Sequence, residues 1–199
     1  MSQDDAHLRE HGVGGRLLHK GNFLELRRDD GRLPDGSHAT REYVVHPGAV
    51  AIVPLLDDGR LVLERQFRYP VGRVLLEFPA GKIDPGEATL RCAQRELLEE
   101  TGYSAREWAY AGIVHNAAAY STEGIEIWFA RGLQAGTQQL DTGEFLELAL
   151  MHEEEVEACV ARGELTDVKT IIGLLWLQKW RAGLWSLDWT VPSEALPRG

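Results

Sequence analysis

The sequence predicts an α+β sandwich, a mixed sheet covered by helices, with a small β region ahead of it. Three observations point there. Residues 49–56, AVAIVPLL, form a mostly apolar run that suits a strand buried on both faces. Several other short segments alternate apolar and polar residues, the period of a half-buried strand, with few helices between them. Residues 87–101 and 167–181 instead carry apolar side chains at helical spacing.

Each element follows from local chemistry. The first ten residues are polar and are expected to be flexible. Residues 15–28 alternate around Lys20-Gly21-Asn22, which reads as a hairpin turn. Residues 29–37, DDGRLPDGS, are turn-rich, and a strand resumes over 41–46. After the apolar run, Asp57-Asp58-Gly59 supplies a turn into an alternating strand over 61–67, so this pair reads as a hairpin. A short strand over 74–78 ends at Pro79. In the segment 87–101, Ala88, Leu90, Ala93, Leu97 and Leu98 make one apolar face, and Gly102 fits the stop. Strands are expected over 108–114, 125–130 and 146–151. A helix over 153–161 ends near Gly163. The last helix, 167–181, starts from a capping Thr166 or Asp167 and stops before Gly183.

The 199 residues allow one domain with a substantial core and a small appendage. A formal charge of −10 argues against sequence-independent binding of nucleic acid, which needs a basic footprint. An anionic substrate would therefore need a metal ion or a local basic patch. Cys92 and Cys159 have neither metal-like nor disulfide-framework spacing, which predicts a reducing, cytoplasmic setting. The N-terminus lacks an apolar signal core and no run reaches membrane-spanning length, so no membrane partner is expected.

The chemistry concentrates in residues 81–103, GKIDPGEATLRCAQRELLEETGY. Glu96, Glu99 and Glu100 fall three and four apart, on one helical face. Like charges so placed repel unless a cation sits among them, and an oxygen-only set suits Mg²⁺ or Mn²⁺ rather than zinc. Gly81 and Gly86, with Asp84-Pro85, let a loop turn tightly onto the helix start. Glu87 and Arg95 are expected to pair with neighbours and hold the loop and the acidic cluster in place.

Gly81, Glu87, Arg95, Glu96, Leu97, Glu99, Glu100, Gly102 and Tyr103 occupy every fixed position of the Nudix box, and the chain thereby resembles the Nudix hydrolases. The resemblance implies a Nudix-type α/β/α sandwich with a mixed sheet, plus a small N-terminal antiparallel sheet. It implies hydrolysis of a diphosphate linked to another group, with Mg²⁺ (Mn²⁺ as an alternative) held by Glu96, Glu99 and Glu100 and by the carbonyl of Ala80.

The likeness extends over most of residues 15–181 and looks most like the ADP-ribose pyrophosphatases. Residues 63–84, LERQFRYPVGRVLLEFPAGKID, resemble their region ahead of the box. By that match Arg68 contacts phosphate and Glu77 meets the substrate or a metal-bound water. Arg41-Glu42 resembles a substrate-facing pair, and Tyr120 is placed to stack or line a pocket. Glu144, in QLDTGEFLE, matches the acidic position that supplies a catalytic base, with Glu123 in reserve and Glu99 able to share a second ion. Two departures stand out. Ala118 replaces a proline associated with ADP-ribose preference and Ala119 the glycine after it, and Thr142 stands where relatives carry glutamate.

The domains implied are a dimerising N-terminal β region over 1–46, a Nudix domain over 47–184 and a tail over 185–199. The expected partners are a small nucleoside diphosphate and a second copy of the chain. Hydrolysis of GDP-mannose or another nucleotide sugar is the enzymatic alternative. A module that binds ADP-ribose without cleaving it is the non-enzymatic one.

Overall fold

A computed structural model describes residues 3–193. The chain divides into two compact units, one comprising the described part of Met1–Gly48 with Ala117–Glu123, the other Ala49–Asn116 with the described part of Gly124–Gly199.

In the smaller unit, residues Gln3–Leu8 form a 3₁₀ turn where the sequence suggested flexible chain. Strands β1 (His11–Lys20), β2 (Glu25–Arg32) and β3 (His38–Val45) make an antiparallel sheet in that order. The predicted hairpin turn is closed by the Gly21 N–H donating to the Leu24 carbonyl at 2.8 Å. Strand β2 runs further than the turn-rich composition of 29–37 suggested. As the central strand it is laddered on both sides, and the Tyr43 hydroxyl donates to Asp29 at 2.8 Å. The turn itself occupies 33–37, where Asp35 accepts from the Ser37 N–H at 2.9 Å. Segment 117–123 joins this unit through Val44, whose N–H donates to Tyr120 and whose carbonyl accepts from Thr122.

The larger unit is built on β4 (Ala49–Leu55), buried along its whole length. Its alternate side chains enter two different cores. Ala49, Ala51, Val53 and Leu55 pack with Phe78, Leu174 and Leu177, while Val50 and Ile52 pack with Cys92, Ala93 and Leu97. A strand that feeds two apolar layers needs a helix on each face, and this is the predicted sandwich. Beside β4 lie β9 (Ile125–Ala135), parallel to it, and β5 (Leu61–Arg68), β7 (Ala80–Lys82) and, through β9, β8 (Tyr103–Val114). Strands β6 (Arg73–Glu77) and β10 (Leu146–Met151) both pair with β5.

Helix α1 (Thr89–Thr101) covers one core and begins two residues later than predicted, leaving Glu87 in the preceding loop. It ends at Gly102, whose φ of 74° is left-handed and where a Cβ would meet the Gln138 backbone nitrogen at 2.8 Å. Helices α2 (Glu153–Ala161) and α3 (Val168–Arg181) contribute to the other core. Asp167 caps α3, accepting from the Thr170 N–H at 2.9 Å, and the Thr170 hydroxyl accepts from the Phe78 N–H at 2.8 Å. That contact ties the start of α3 to the end of β6. Strands β8 and β9 outrun their predicted limits because they pair with each other from Tyr103↔Ala135 to Val114↔Ile125, past the apolar core.

The tryptophans pack among themselves: Trp176 against Trp185 at 5.5 Å and Trp180 against Trp189 at 5.6 Å between ring centroids. Residues 185–193 are thereby attached to the larger unit, and Thr190 exchanges backbone hydrogen bonds with Trp108. No helix among the described residues is long and apolar enough to cross a membrane.

Candidate active site

The acidic face of α1 is held by one arginine. Arg95 lies one turn from Glu99 and donates to it at 3.1 Å and to Glu96 at 2.7 Å. Its other nitrogens reach both carboxylate oxygens of Glu87, at 3.0 and 2.9 Å, and the Lys82 carbonyl at 3.2 Å. Glu87 in turn accepts from the Asp84 N–H at 3.1 Å, so these bonds stitch the loop to the helix. Gly81 is required here by contact, since a Cβ would collide with the Glu96 carboxylate.

Glu100 faces inward and is only 3% exposed. Its carboxylate accepts from the Ala80 N–H at 2.9 Å, so β7 presents a donor to it at the residue whose carbonyl was singled out.

The sheet supplies a second wall. Glu64, Gln66 and Arg68 alternate along β5 and therefore share a face. Arg68 forks onto Glu77, with both bonds at 2.9 Å, and Lys169 from the first turn of α3 donates to the same carboxylate and pairs with Asp167 at 3.0 Å. Gln66 donates to Glu144 at 3.3 Å, which brings the loop before β10 to this face. Glu64 is 0% exposed, and neither of its carboxylate oxygens has a hydrogen-bond partner.

Six carboxylates (Glu64, Glu77, Glu96, Glu99, Glu100 and Glu144) thus stand with three cations, Arg68, Arg95 and Lys169. The imbalance shows in their acidity. Burial pushes Glu64 up to about 8, outweighing the pull of Arg68 and Lys169, which Glu77 and Glu144 oppose. Burial raises Glu96 to about 6 against the pull of Arg95. Glu100 is held well above the carboxylate range by burial and by Glu64, Glu96 and Glu144. Glu77 goes the other way, because Arg68 and Lys169 outweigh its burial. Among the described residues no group of three His, Cys, Asp or Glu side chains forms a ready-made metal cage. Arg95 holds two of the carboxylates and the Ala80 N–H a third.

Of the residues singled out from the sequence, the larger unit therefore gathers Glu96, Glu99, Glu100, Ala80, Glu87, Arg95, Arg68, Glu77 and Glu144. The others belong to the smaller unit. Arg41 pairs there with Glu10 at 2.6 Å, and Glu42 lies 3.6 Å from Arg28. Tyr120 is 62% exposed, and Glu123 lies 3.5 Å from His46. Sequence reasoning missed Glu64, Gln66 and Lys169. The alternation Glu64-x-Gln66-x-Arg68 was a usable signal for the first two. Lys169 is separated from Glu77 by 92 residues, and no spacing points to it.

The NUDIX domain family pattern matches residues 45–169. The chain is 33% identical over 173 residues to the ADP-ribose pyrophosphatase of Bacillus subtilis, covering 86% of this chain and 94% of that one. It is 36% identical over 166 residues to the ADP-ribose pyrophosphatase of Mycobacterium tuberculosis, covering 82% and 80%. A crystal structure of an ADP compounds hydrolase shares the fold with a TM-score of 0.79 at 23% identity, over 88% of this chain and 96% of that one. The acidic helix, the glycine that admits Glu96 and the arginine that binds the cluster are thus parts of a known architecture, and the chain belongs to the Nudix hydrolase family.

Proposed function

We propose that this Nudix hydrolase cleaves the pyrophosphate bond of ADP-ribose, or of a closely similar nucleoside diphosphate sugar, to give AMP and ribose 5-phosphate. The observation that carries this reading is the carboxylate cluster on the complete box, with Arg68 beside it, in a chain similar to ADP-ribose pyrophosphatases over most of its length.

The donors fit a hard divalent cation, Mg²⁺ or Mn²⁺. They are oxygen-only, they carry more negative charge than their cations answer, and Glu64 has two orphaned buried oxygens. Glu96, Glu99 and Glu100, with the Ala80 carbonyl, would hold the ion, which requires Arg95 to release at least one carboxylate. Bound there, the ion would neutralise phosphate charge and lower the pKa of a bound water.

The chain's own residues do the rest. Arg68 binds a diphosphate oxygen, and Lys169 keeps Glu77 neutralised when Arg68 turns to the substrate. Glu144 accepts the proton of the attacking water at a carboxylate oxygen, and its present bonds, 3.3 Å from Gln66 and 3.4 Å from the Asp141 N–H, are long enough to exchange. The P–O bond to the leaving phosphate breaks as the new one forms. Glu99 and Glu123 are the alternative bases. Arg41, Glu42, Glu77 and Tyr120 are substrate contacts by resemblance. The same resemblance suggests a homodimer built on residues 1–46, and the free thiols of Cys92 and Cys159 suit a cytoplasmic enzyme.

Ala118 and Ala119 favour a second reading, in which GDP-mannose or another nucleotide sugar is preferred. Specificity constants on a diphosphate panel with Mg²⁺ separate the two. ADP-ribose is expected to lead, and turnover of no member would overturn the enzymatic assignment of this chain.

A further inference from the structure

Strand β5 carries a carboxylate that neither the box nor the proposed reaction uses. Glu64 is fully buried between β10 and β6, opposite Leu148 on one side and Glu77 on the other. Both its oxygens lack a hydrogen-bond partner, and so does the Oε1 atom of Gln66 on the same strand face. Buried carboxylates are otherwise hydrogen-bonded, ion-paired or bound to metal, and an apolar side chain would fill this strand position at lower cost. The neighbouring cations are engaged elsewhere: Arg68 is forked onto Glu77, and Lys169 is shared by Glu77 and Asp167. Glu64 nevertheless shares its strand face with Gln66, which donates to Glu144, and with Arg68, which is forked onto Glu77.

We propose that Glu64 is a further ligand of the divalent cation, reaching it from β5 while the box glutamates reach it from α1. The inference rests on the metal-dependent reading above. It gives the site a carboxylate from the sheet, outside the Nudix box, whose burial is compensated only when the ion is bound.

The test is Mn²⁺ binding by calorimetry and thermal unfolding, with and without Mn²⁺, on EDTA-treated wild type, Glu64→Gln and Glu64→Leu. Both variants should bind Mn²⁺ at least about tenfold more weakly. Their metal-free melting temperatures should equal or exceed that of wild type, and their gain on adding Mn²⁺ should shrink. Unchanged Mn²⁺ affinity in Glu64→Gln overturns the proposal alone. So does a metal-free Glu64→Gln that melts well below wild type, because the carboxylate would then be structural. A wild type that binds no Mn²⁺ overturns the metal-dependent reading as well.

Discussion

Glu64 on β5 and Glu77 on β6 are paired across one antiparallel ladder, and both are buried, at 0% and 1% exposure. Their surroundings differ in one respect. Arg68 and Lys169 both turn to Glu77, which is held below the usual carboxylate range, while Glu64 receives no hydrogen bond and is pushed up to about 8. Burial alone therefore does not decide whether a carboxylate is charged in this site. The cations do, and they have been assigned to one member of the pair. One member of the pair is thus electrostatically satisfied, and the other is not.

The largest effect that would break this comparison comes from removing the satisfied member. Glu77→Gln leaves Arg68 and the buried Lys169 without their shared anion and should destabilise the fold by about 3–5 kcal/mol in urea titrations. Glu64→Gln, one rung across, should change metal-free stability by less than about 1 kcal/mol or raise it. Equal losses in the two variants would erase the distinction.

The pH dependence sharpens it. The ordinary value of both carboxylates is 4.5. Between that value and about 8, folded Glu64 keeps a proton that the unfolded chain has released. Metal-free stability should then fall as pH rises through this window, by at most about 1.4 kcal/mol per unit from this group, and level off above it. Glu77 has the opposite sign: its contribution is present above 4.5 and is lost as pH falls through its lowered folded value. Unfolding of wild type and Glu64→Gln from pH 5 to 9 in EDTA should show the steeper fall in wild type, because Glu96 and Glu100, also raised, keep part of the slope in the variant. Lys169→Met should cost about 1–3 kcal/mol, less than Glu77→Gln, since Arg68 still holds Glu77.

These residues also mark how far the sequence could be read. The α1 wall was legible because Glu96, Glu99 and Glu100 are local: helical spacing alone puts them on one face, and Gly102 announces the stop. On the β5 wall only Arg68 was singled out, by resemblance, and Glu64 was passed over. In LERQFR a glutamate reads as the solvent side of an amphipathic strand, and only pairing with β10 on one side and β6 on the other buries it. Lys169 meets Glu77 through the packing of α3 onto the sheet, a contact with no local signature. Strand β7 escaped for another reason. Three residues that follow a proline and include a glycine carry no period, and the ladder to Ala49, Val50 and Ala51 makes them a strand. The helical limits of α2 were read correctly, since the capping residue His152, Glu155 and the glycine that follows all lie within the segment.

The central claim is that the acidic cluster is the hydrolytic site. The most direct measurement follows AMP release from ADP-ribose with Mg²⁺ for wild type, Glu96→Gln and Glu100→Gln. Wild type should release AMP and ribose 5-phosphate in equal amounts, and both variants should be slower by at least about a hundredfold while remaining folded. Wild-type rates in both variants would contradict the account.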